Sequence, residues 1–565
     1  MKRTLTICPA LLSVLLCAFG AMAQRSQESQ LQRSIRTMET LLERLQATYV
    51  DSLDMEKHLQ TGVAYMLRSL DPYTEYYTEE QARQFQDNSA GEYGGIGIRI
   101  ATYNGQAYLI NPMPGQPAFK AGLRSGDKVV RVDSTSTRGH DSNFVTKLIR
   151  GQAGTPVTIT VVRPYAQDSL LTVTMERAKV SVPAVPFYTI LPSGIGYLPI
   201  TTFSPDNTAA QVRAALEDFK QDKNLKGIII DLTENGGGLL SQAVDIASMF
   251  LPRGSKVLET KGRMHDESVV YNTKKDPIFP DIPLVVMLNR GSASASEVLA
   301  GALQDYDRAV LVGERSFGKG LVQSTMGMPY DGMLKVTTAK YYIPSGRLIQ
   351  ALDYSHRDAD GHPGYTPDSL AKTYYTAAGR PVKDGGGLQP EVVVKDTLVH
   401  SYLVYNLVSK PYLFDFANRW HATHKQKEET PFVMTDEVWK GFVETLPDSA
   451  LNYETGTSQA LKQLRDQAKD DGLLTDAMKK ELDNLEALLK QKNSAELAQA
   501  RNEIERMLAP MLAERYGFEE AELRMELNYN PLLKAAEEVL LNPKKYHSLL
   551  KKEAPKKAPK NKKKK

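Results

Sequence analysis

The spacing of apolar residues changes along the chain, and each change marks a different kind of element. Between residues 30 and 86, SIRTMETLLERLQATYV and MEKHLQTGVAYMLRSL place apolar positions three and four residues apart, the period of amphipathic helices, until LDPYTEYYT interrupts them. From about Ala90 to Ala178 the period shortens to two: EYGGIGIRIA, QAYLIN and TPVTITVV read as short strands between Gly-, Pro- and Asp-rich turns. Between about Gly194 and Val394, the wholly apolar runs KGIIIDL, PLVVML and AVLVG alternate with the helical stretches LLSQAVDIASMFL and SEVLAGALQDY. Residues 396–550 return to the helical period in charged runs such as TSQALKQLRDQAKDD and AMKKELDNLEALLKQK. The expected architecture is an α/β multidomain chain. A helical lead-in (24–89) precedes a strand-rich inserted domain (90–178), a βαβ-containing core (179–395) and a helical C-terminal region (396–550).

A strand, crossover helix and returning strand make a βαβ unit, so the apolar strands of the core are expected to run parallel with their C-terminal ends at one edge. The loops after these strands, TENGGG, NRGSASAS and ERSFGKG, should then face one crevice, where open α/β sheets place their ligands.

GERSFGKG (313–320) has the G-x-x-x-x-G-K spacing of a phosphate-binding loop, but Gly320 stands where a Ser or Thr should hold Mg²⁺. The next stretch of chain, LVQSTMGMPYDGMLKVTTAKYYIP, reads as a hairpin of strands rather than the helix such a loop requires. In the second loop, Ser294 sits at the expected helix start, and S-A-S-E at 294–297 fits a capping box with Glu297 reaching back. A serine there is also placed for nucleophilic attack, with the Ala295 N–H and the helix dipole pointing where an oxyanion would form. A second donor is expected near Gly237, where the absence of side chains lets backbone approach a substrate. None of the nine histidines lies in these loops, which leaves Lys319 as the candidate base. A lysine has a reference pKa of about 10.4 that can fall toward 7 when desolvated. Gln323, four residues on along a strand, could orient its amine.

The ends of the chain bear on location. MKRTLTICPALLSVLLCAFGAMAQ has a basic start, an apolar run and the ending Ala21-Met22-Ala23, the pattern of a secretory signal peptide (1–23) cut before Gln24. The apolar run is shorter than the roughly 20 residues that a membrane span needs. Both cysteines, Cys8 and Cys17, fall in this leader, so the mature chain has no thiol; Cys17 comes after Leu16 rather than a small residue, which argues against lipid attachment. The net charge of +3 is owed to the last fifteen residues (551–565), which carry nine Lys against one Glu: a disordered tail, or a tether to an anionic envelope surface. With 24% charged and 41% hydrophobic residues, the chain as a whole has ordinary globular composition, and nothing in it calls for nucleic acid. Asp358, Asp360 and Gly361 faintly resemble a calcium loop, but the remaining ligand positions do not match, and no cofactor or metal is expected.

Two resemblances sharpen these expectations. Residues 90–178 resemble a PDZ domain, through the loop Gly94-Gly95-Ile96-Gly97 leading into an alternating strand, the P-G-x-P-A-x-x-A-G-L-x-x-G-D turn at Pro114 to Asp127, and a helix near Phe144 to Ile149. Such a loop offers backbone N–H groups to a terminal carboxylate, and its strand can accept an extended peptide. NRGSASASEVLAGALQDYDRAVLVGERSFGKGLVQ resembles the core of the carboxy-terminal processing proteases, PDZ-containing Ser-Lys peptidases, with further matches at LRSLDPYTEYYT, DLTENGGGLL, TTAKYYIPSGRLIQ and GGGLQPEVVV. The resemblance implies Ser294 as nucleophile, Lys319 as base and Gln323 as support, with Ser292 and Ser296 as lesser candidates, and oxyanion donors at Ala295 and Gly237. The family's D-L-R-x-N-P-G-G appears here as DLTENGGG, with Thr233 for an arginine and Gly236 for a proline, which puts the support of that loop in question. The expected function is an exported serine endopeptidase of the periplasm or envelope, acting on proteins with unstructured C-termini. The alternatives are a non-catalytic PDZ scaffold, in which Ser294 is only a helix cap, and a P-loop nucleotide hydrolase. The helical C-terminal region reads as a cap over the core, a dimerisation surface or an adaptor site.

Overall fold

The computed structural model describes residues 9–551 except 90–91, 167–168, 205–206, 264–267, 359, 368, 396–401, 426–429 and 452–454. The first eight residues of the expected leader and the lysine-rich tail beyond Lys551 lie outside the described residues. The chain divides into two units, Met1–Ala82 with Gln323–Thr337, and Arg83–Val322 with Thr338–Lys565.

In the first unit the helical period is realised as Pro9–Thr48 and Met55–Arg68, the second capped by Asp54, whose carboxylate accepts the Lys57 N–H at 3.1 Å. No helix among the described residues is long and apolar enough to cross a membrane. At LDPYTEYYT the chain leaves the helix because Asp71 Oδ1 accepts the N–H groups of both Tyr73 and Thr74 at 2.8 Å, an Asx turn that competes with helical bonding. The turn delivers the strand Glu75–Tyr77, antiparallel to Met333–Lys335.

The second unit is built on a six-stranded sheet in the order Thr189–Ile190, Ile195–Pro199, Gly227–Asp231, Leu284–Leu288, Val310–Gly313, Val392–Val393. From Ile195–Pro199 onward every pairing is parallel. Parallel strands are covered on both faces, which is why they read as unbroken apolar runs. Ile228 and Ile230 face the helices Thr208–Phe219, Leu240–Ala247 and Ala295–Asp305. Ile229 lies on the opposite face with Val285, Met287, Val310 and Val312, under Leu532, Leu533, Ala536, Val539 and Leu540 of the helix Pro531–Leu540. Part of the helical C-terminal region is therefore one wall of the core.

The inserted domain is an antiparallel sheet in the order Arg99–Tyr103, Gln106–Ile110, Lys128–Val132, Pro156–Val162, Leu170–Glu176, closed over Leu109, Leu123, Val129, Val145 and Ile159, all 0% exposed. Its entry and exit are zipped together by a ladder between Glu92–Gly95 and Ala178–Ser181. It rests on the helical region through Tyr103, stacked on Phe414 at 4.2 Å, and Phe119 against Phe518 at 5.1 Å.

Candidate active site

The three glycine- and serine-rich loops lie at the C-terminal ends of neighbouring parallel strands and are bonded to one another. Asn289, after Leu284–Leu288, accepts the Glu234 N–H at 3.0 Å and donates to Glu234 Oε1 at 2.7 Å. Asn235, fully buried, accepts the Ala293 N–H through its carbonyl at 3.0 Å and donates its amide to Ile200 O at 2.6 Å. Phe317 N–H donates to Ser292 O at 3.0 Å, which draws the ERSFGKG loop into the same set. Thr233, standing where the family has an arginine, closes its turn by donating its N–H and hydroxyl to Asp231 Oδ1, at 2.9 and 2.7 Å. The loop is thus braced within its own chain segment. Burial raises the Asp231 carboxyl, against the donors Tyr197 and Thr233 that lower it.

The three serines of SASAS differ in their surroundings. Ser292 is 1% exposed and its hydroxyl donates to Leu232 O at 2.7 Å while accepting the Asn289 N–H at 2.9 Å. Ser296 is 0% exposed and donates to Asn235 O at 2.8 Å. Both hydroxyls hold the loop. Ser294 is half-buried and carries φ +56° and ψ −113°, a conformation in which a non-glycine residue is strained. Behind it the helix Ala295–Asp305 begins with the Ala295 N–H, one of the first-turn donors that have no intrahelical acceptor. Gly237 approaches from the neighbouring loop at φ +101°, so close that a Cβ there would lie 2.9 Å from the Cβ of Ser294 and from Ala295 N. Its own N–H donates to Asn235 Oδ1 at 2.9 Å.

Lys319 is half-buried, and Phe317, the aromatic of its own loop, is exposed. The amides of its loop do hold an anion, but an internal one. Glu297, 1% exposed, accepts the N–H of Gly318 at 2.8 Å, the N–H of Lys319 at 2.9 Å and the hydroxyl of Ser316 at 2.5 Å. It also accepts the Ser294 N–H at 2.9 Å, as a capping box requires. Burial pushes its carboxyl up to about 7, against the four donors that pull it down. Gly320 lies where a Cβ would come within 3.0 Å of Gln350 N, and the chain then enters the strand Leu321–Gly327 rather than a helix. Neither the hydroxyl nor the helix of a nucleotide-binding loop is present, which removes that alternative. The serine motif signalled Glu297 only as a helix cap; nothing in the spacing linked it to a loop twenty residues later.

Gln323 belongs to the first unit, half-buried on Leu321–Gly327, with its amide donating to Thr337 Oγ1 at 3.3 Å. Thr337 N–H in turn donates to the Thr74 hydroxyl at 3.3 Å, and Thr74 is held by Asp71.

In the inserted domain Gly94 and Gly95 end the entry ladder, while Ile96 and Gly97 make the turn into Arg99–Tyr103. Ile96 is 1% exposed, and the carbonyls of Ile96 and Gly97 accept from Ala118 and Met113 at 2.9 Å. Arg99–Tyr103 is an edge strand, paired only with Gln106–Ile110 among the described residues. The helix Ser142–Ile149 lies beside it, joined through Thr102 and Ser142 at 2.8 Å. An edge strand, a helix and a glycine turn at one end form a groove for an extended chain.

Among the described residues the acidic segment 358–362 brings ligand atoms of Asp358, Asp360 and His362 within 4.8 Å of one another, all exposed, with Asp358 Oδ1 accepting the N–H groups of Asp360 and His362.

Residues 194–357 match peptidase family S41, residues 94–176 match the PDZ domain family, and residues 403–540 match the C-terminal helical domain of probable PDZ-proteases. A carboxy-terminal-processing protease of Bartonella bacilliformis is 34% identical over 365 residues, 64% of this chain and 80% of that protein. A chloroplastic C-terminal processing peptidase of Tetradesmus obliquus is 35% identical over 331 residues, 55% of this chain and 70% of that protein. A solved photosystem II D1 C-terminal processing protease is 28% identical, covering 63% of this chain and 86% of its own, with a TM-score of 0.35. Likeness to the first two over most of their length, together with the S41 and PDZ matches, places this chain in the family of carboxy-terminal-processing proteases, serine-type peptidases that carry a PDZ domain.

Proposed function

We propose that this protease is exported to the periplasm or envelope, engages unstructured C-termini through its PDZ domain and cleaves by a Ser-Lys mechanism. Ser294 Oγ attacks the scissile carbonyl carbon while Lys319, as a neutral amine, takes the hydroxyl proton and passes it to the leaving amine. Water then attacks the acyl-enzyme ester, giving a proton to Lys319, which passes it to Ser294 Oγ as the C–O bond breaks, so that the free serine and the neutral amine are both restored. Ala295 N–H and a glycine of the 236–238 set stabilise the oxyanion in both halves, and Gln323 orients the amine. The observation that carries this reading is the contrast within SASAS: Ser294 is half-buried and held at φ +56°, while the hydroxyls on either side donate to backbone carbonyls. The leader pattern supports export, and the groove beside Arg99–Tyr103 supports peptide capture.

Cleavage of an unfolded reporter tests the mechanism. Arginine keeps the charge but cannot release its proton, so Lys319→Arg and Ser294→Ala are each expected to lower kcat by about 1,000-fold or more, the behaviour of groups that act as a unit. Near wild-type cleavage by either folded variant sinks the Ser-Lys mechanism. Amidating the reporter's terminal carboxylate should slow its cleavage; equal rates would count against carboxylate reading by the PDZ domain.

A further inference from the structure

We propose that the Glu297 carboxylate and the Tyr341 hydroxyl are positioning groups that staple the Ser294 turn to the Lys319 loop, one through backbone N–H groups and the other through backbone carbonyls. The inference rests on the Ser-Lys reading. A single oxygen, Glu297 Oε2, accepts both the Ser294 N–H and the Lys319 N–H at 2.9 Å, so the two amides are never further apart than two hydrogen bonds in series. The other oxygen, Oε1, takes the Gly318 N–H at 2.8 Å and the Ser316 hydroxyl at 2.5 Å. Ser316 is itself anchored, its hydroxyl accepting the Leu388 N–H at 2.7 Å. Tyr341, 0% exposed, donates its hydroxyl to Lys319 O and lies 3.3 Å from Ser294 O. The same two residues are therefore bridged twice, by side chains from two different elements.

A helix cap alone would need only the Ser294 bond. The other three donors come from the loop that carries Lys319, and an ionised carboxylate has the lone pairs to accept from all four. An amide of the same shape has one accepting oxygen and an NH₂ that would face N–H groups. Because proton transfer demands that hydroxyl and amine meet in a narrow range of geometry, a displacement of about 1 Å can cost about 100-fold in rate.

The test uses the full mature chain and a short fluorogenic peptide with a free carboxylate, with Glu297→Gln and Tyr341→Phe measured beside Ser294→Ala and Lys319→Arg. Each staple variant is expected to lower kcat about 100-fold with KM within about twofold, while the thermal unfolding transition stays cooperative. A merely structural role would lower the unfolding temperature and leave kcat of the folded protein unchanged. Wild-type kcat in either folded variant overturns the proposal, as does a loss confined to KM, which would assign these groups to substrate binding. If Glu297→Gln does not fold, Tyr341→Phe, which removes one hydroxyl, decides alone. Dead Ser294 and Lys319 variants beside fully active staple variants would sink the staple only; an active Ser294→Ala would sink the Ser-Lys reading itself.

Discussion

A methyl group on Gly237 would lie 2.7 Å from Ala293 O and 2.9 Å from both Ala295 N and Ser294 Cβ, at a φ of +101° that side chains rarely adopt. Two of these atoms are backbone and the third is a Cβ fixed to it, so none is the end of a flexible side chain that could move aside. Gly237→Ala is therefore expected to destabilise by about 2 kcal/mol or more and to displace the Ser294 turn, lowering cleavage beyond what the stability loss explains. Gly236, the neighbour that stands where the family has proline, has nothing within 4 Å, and Gly236→Ala should be close to neutral in both respects. Thermal unfolding and peptide cleavage of the two variants check this; equal effects would contradict it. Single residues of the site were partly legible in the chain. Ser294, Lys319 and the glycine loop emerge from motif and spacing, because each lies next to the element that presents it. The roles of Glu297, Asn235 and Tyr341 do not, because their partners lie on other segments: Glu297 meets Lys319, Asn235 meets Ile200 and Ala293, and Tyr341 meets Lys319 and Ser294. The Gly237 N–H donates to Asn235, so its use as an oxyanion donor requires that bond to be exchanged.

At the scale of elements, the buried strands announce themselves because two covered faces leave almost no polar position: every residue of LVVML is apolar and buried, and GIIID has only Asp231, at its end, as a buried polar group. The cover of the second face does not announce itself. PLLKAAEEVL is one amphipathic helix among many in the C-terminal region, and only the fold shows that this one lies over Ile229, Val285, Met287, Val310 and Val312. Uncovering those five side chains forfeits about 1.5–3 kcal/mol each, together comparable to or larger than the roughly 5–15 kcal/mol that holds a typical domain folded. A chain ended at residue 530 is accordingly expected to be insoluble or to lack a cooperative melting transition by circular dichroism. A soluble truncated protein with wild-type melting would show that the helix is dispensable.

Between the PDZ domain and the rest of the second unit lies a cluster of ionisable groups. Glu514 accepts from the Asn111 N–H at 3.2 Å and from the Ser125 hydroxyl, and pairs with Arg515, while Glu522 accepts the Asn111 side-chain amide at 2.5 Å. Glu526 is exposed along part of its side chain, but the protein around its carboxyl end strips water from it, and this, followed by the charge of Glu522, pushes the carboxyl up to about 7; Arg99 and Arg506 act in the opposite sense and Asp231 reinforces the rise. In the unfolded chain this carboxyl would lose its proton near the ordinary 4.5, so the folded state holds the proton over a wider range. Its contribution to stability is complete below about 4.5 and is lost as pH rises through about 7. The urea midpoint is expected to fall between pH 5.5 and pH 8, and to fall less in Glu526→Gln; parallel pH profiles for the two proteins would remove this account.

The amino-acid sequence determined by itself everything that depends on near neighbours: the helical and strand periods, the parallel core strands, the glycine turn of the PDZ domain, and the motifs that carry the serine and the lysine. Only the tertiary structure decided which groups meet across the chain. Glu297 reads as a helix cap because its first partner is three residues away, and becomes the shared acceptor of two loops because Gly318 and Lys319 return to it from the next strand. Ser292 and Ser296 stay as lesser candidates in the sequence, and the fold brings the backbone carbonyls of Leu232 and Asn235, some sixty residues earlier, to accept from their hydroxyls. A hydrogen bond is set by a distance of about 3 Å in space, and a linear sequence records such distances only for residues that are already close along the chain.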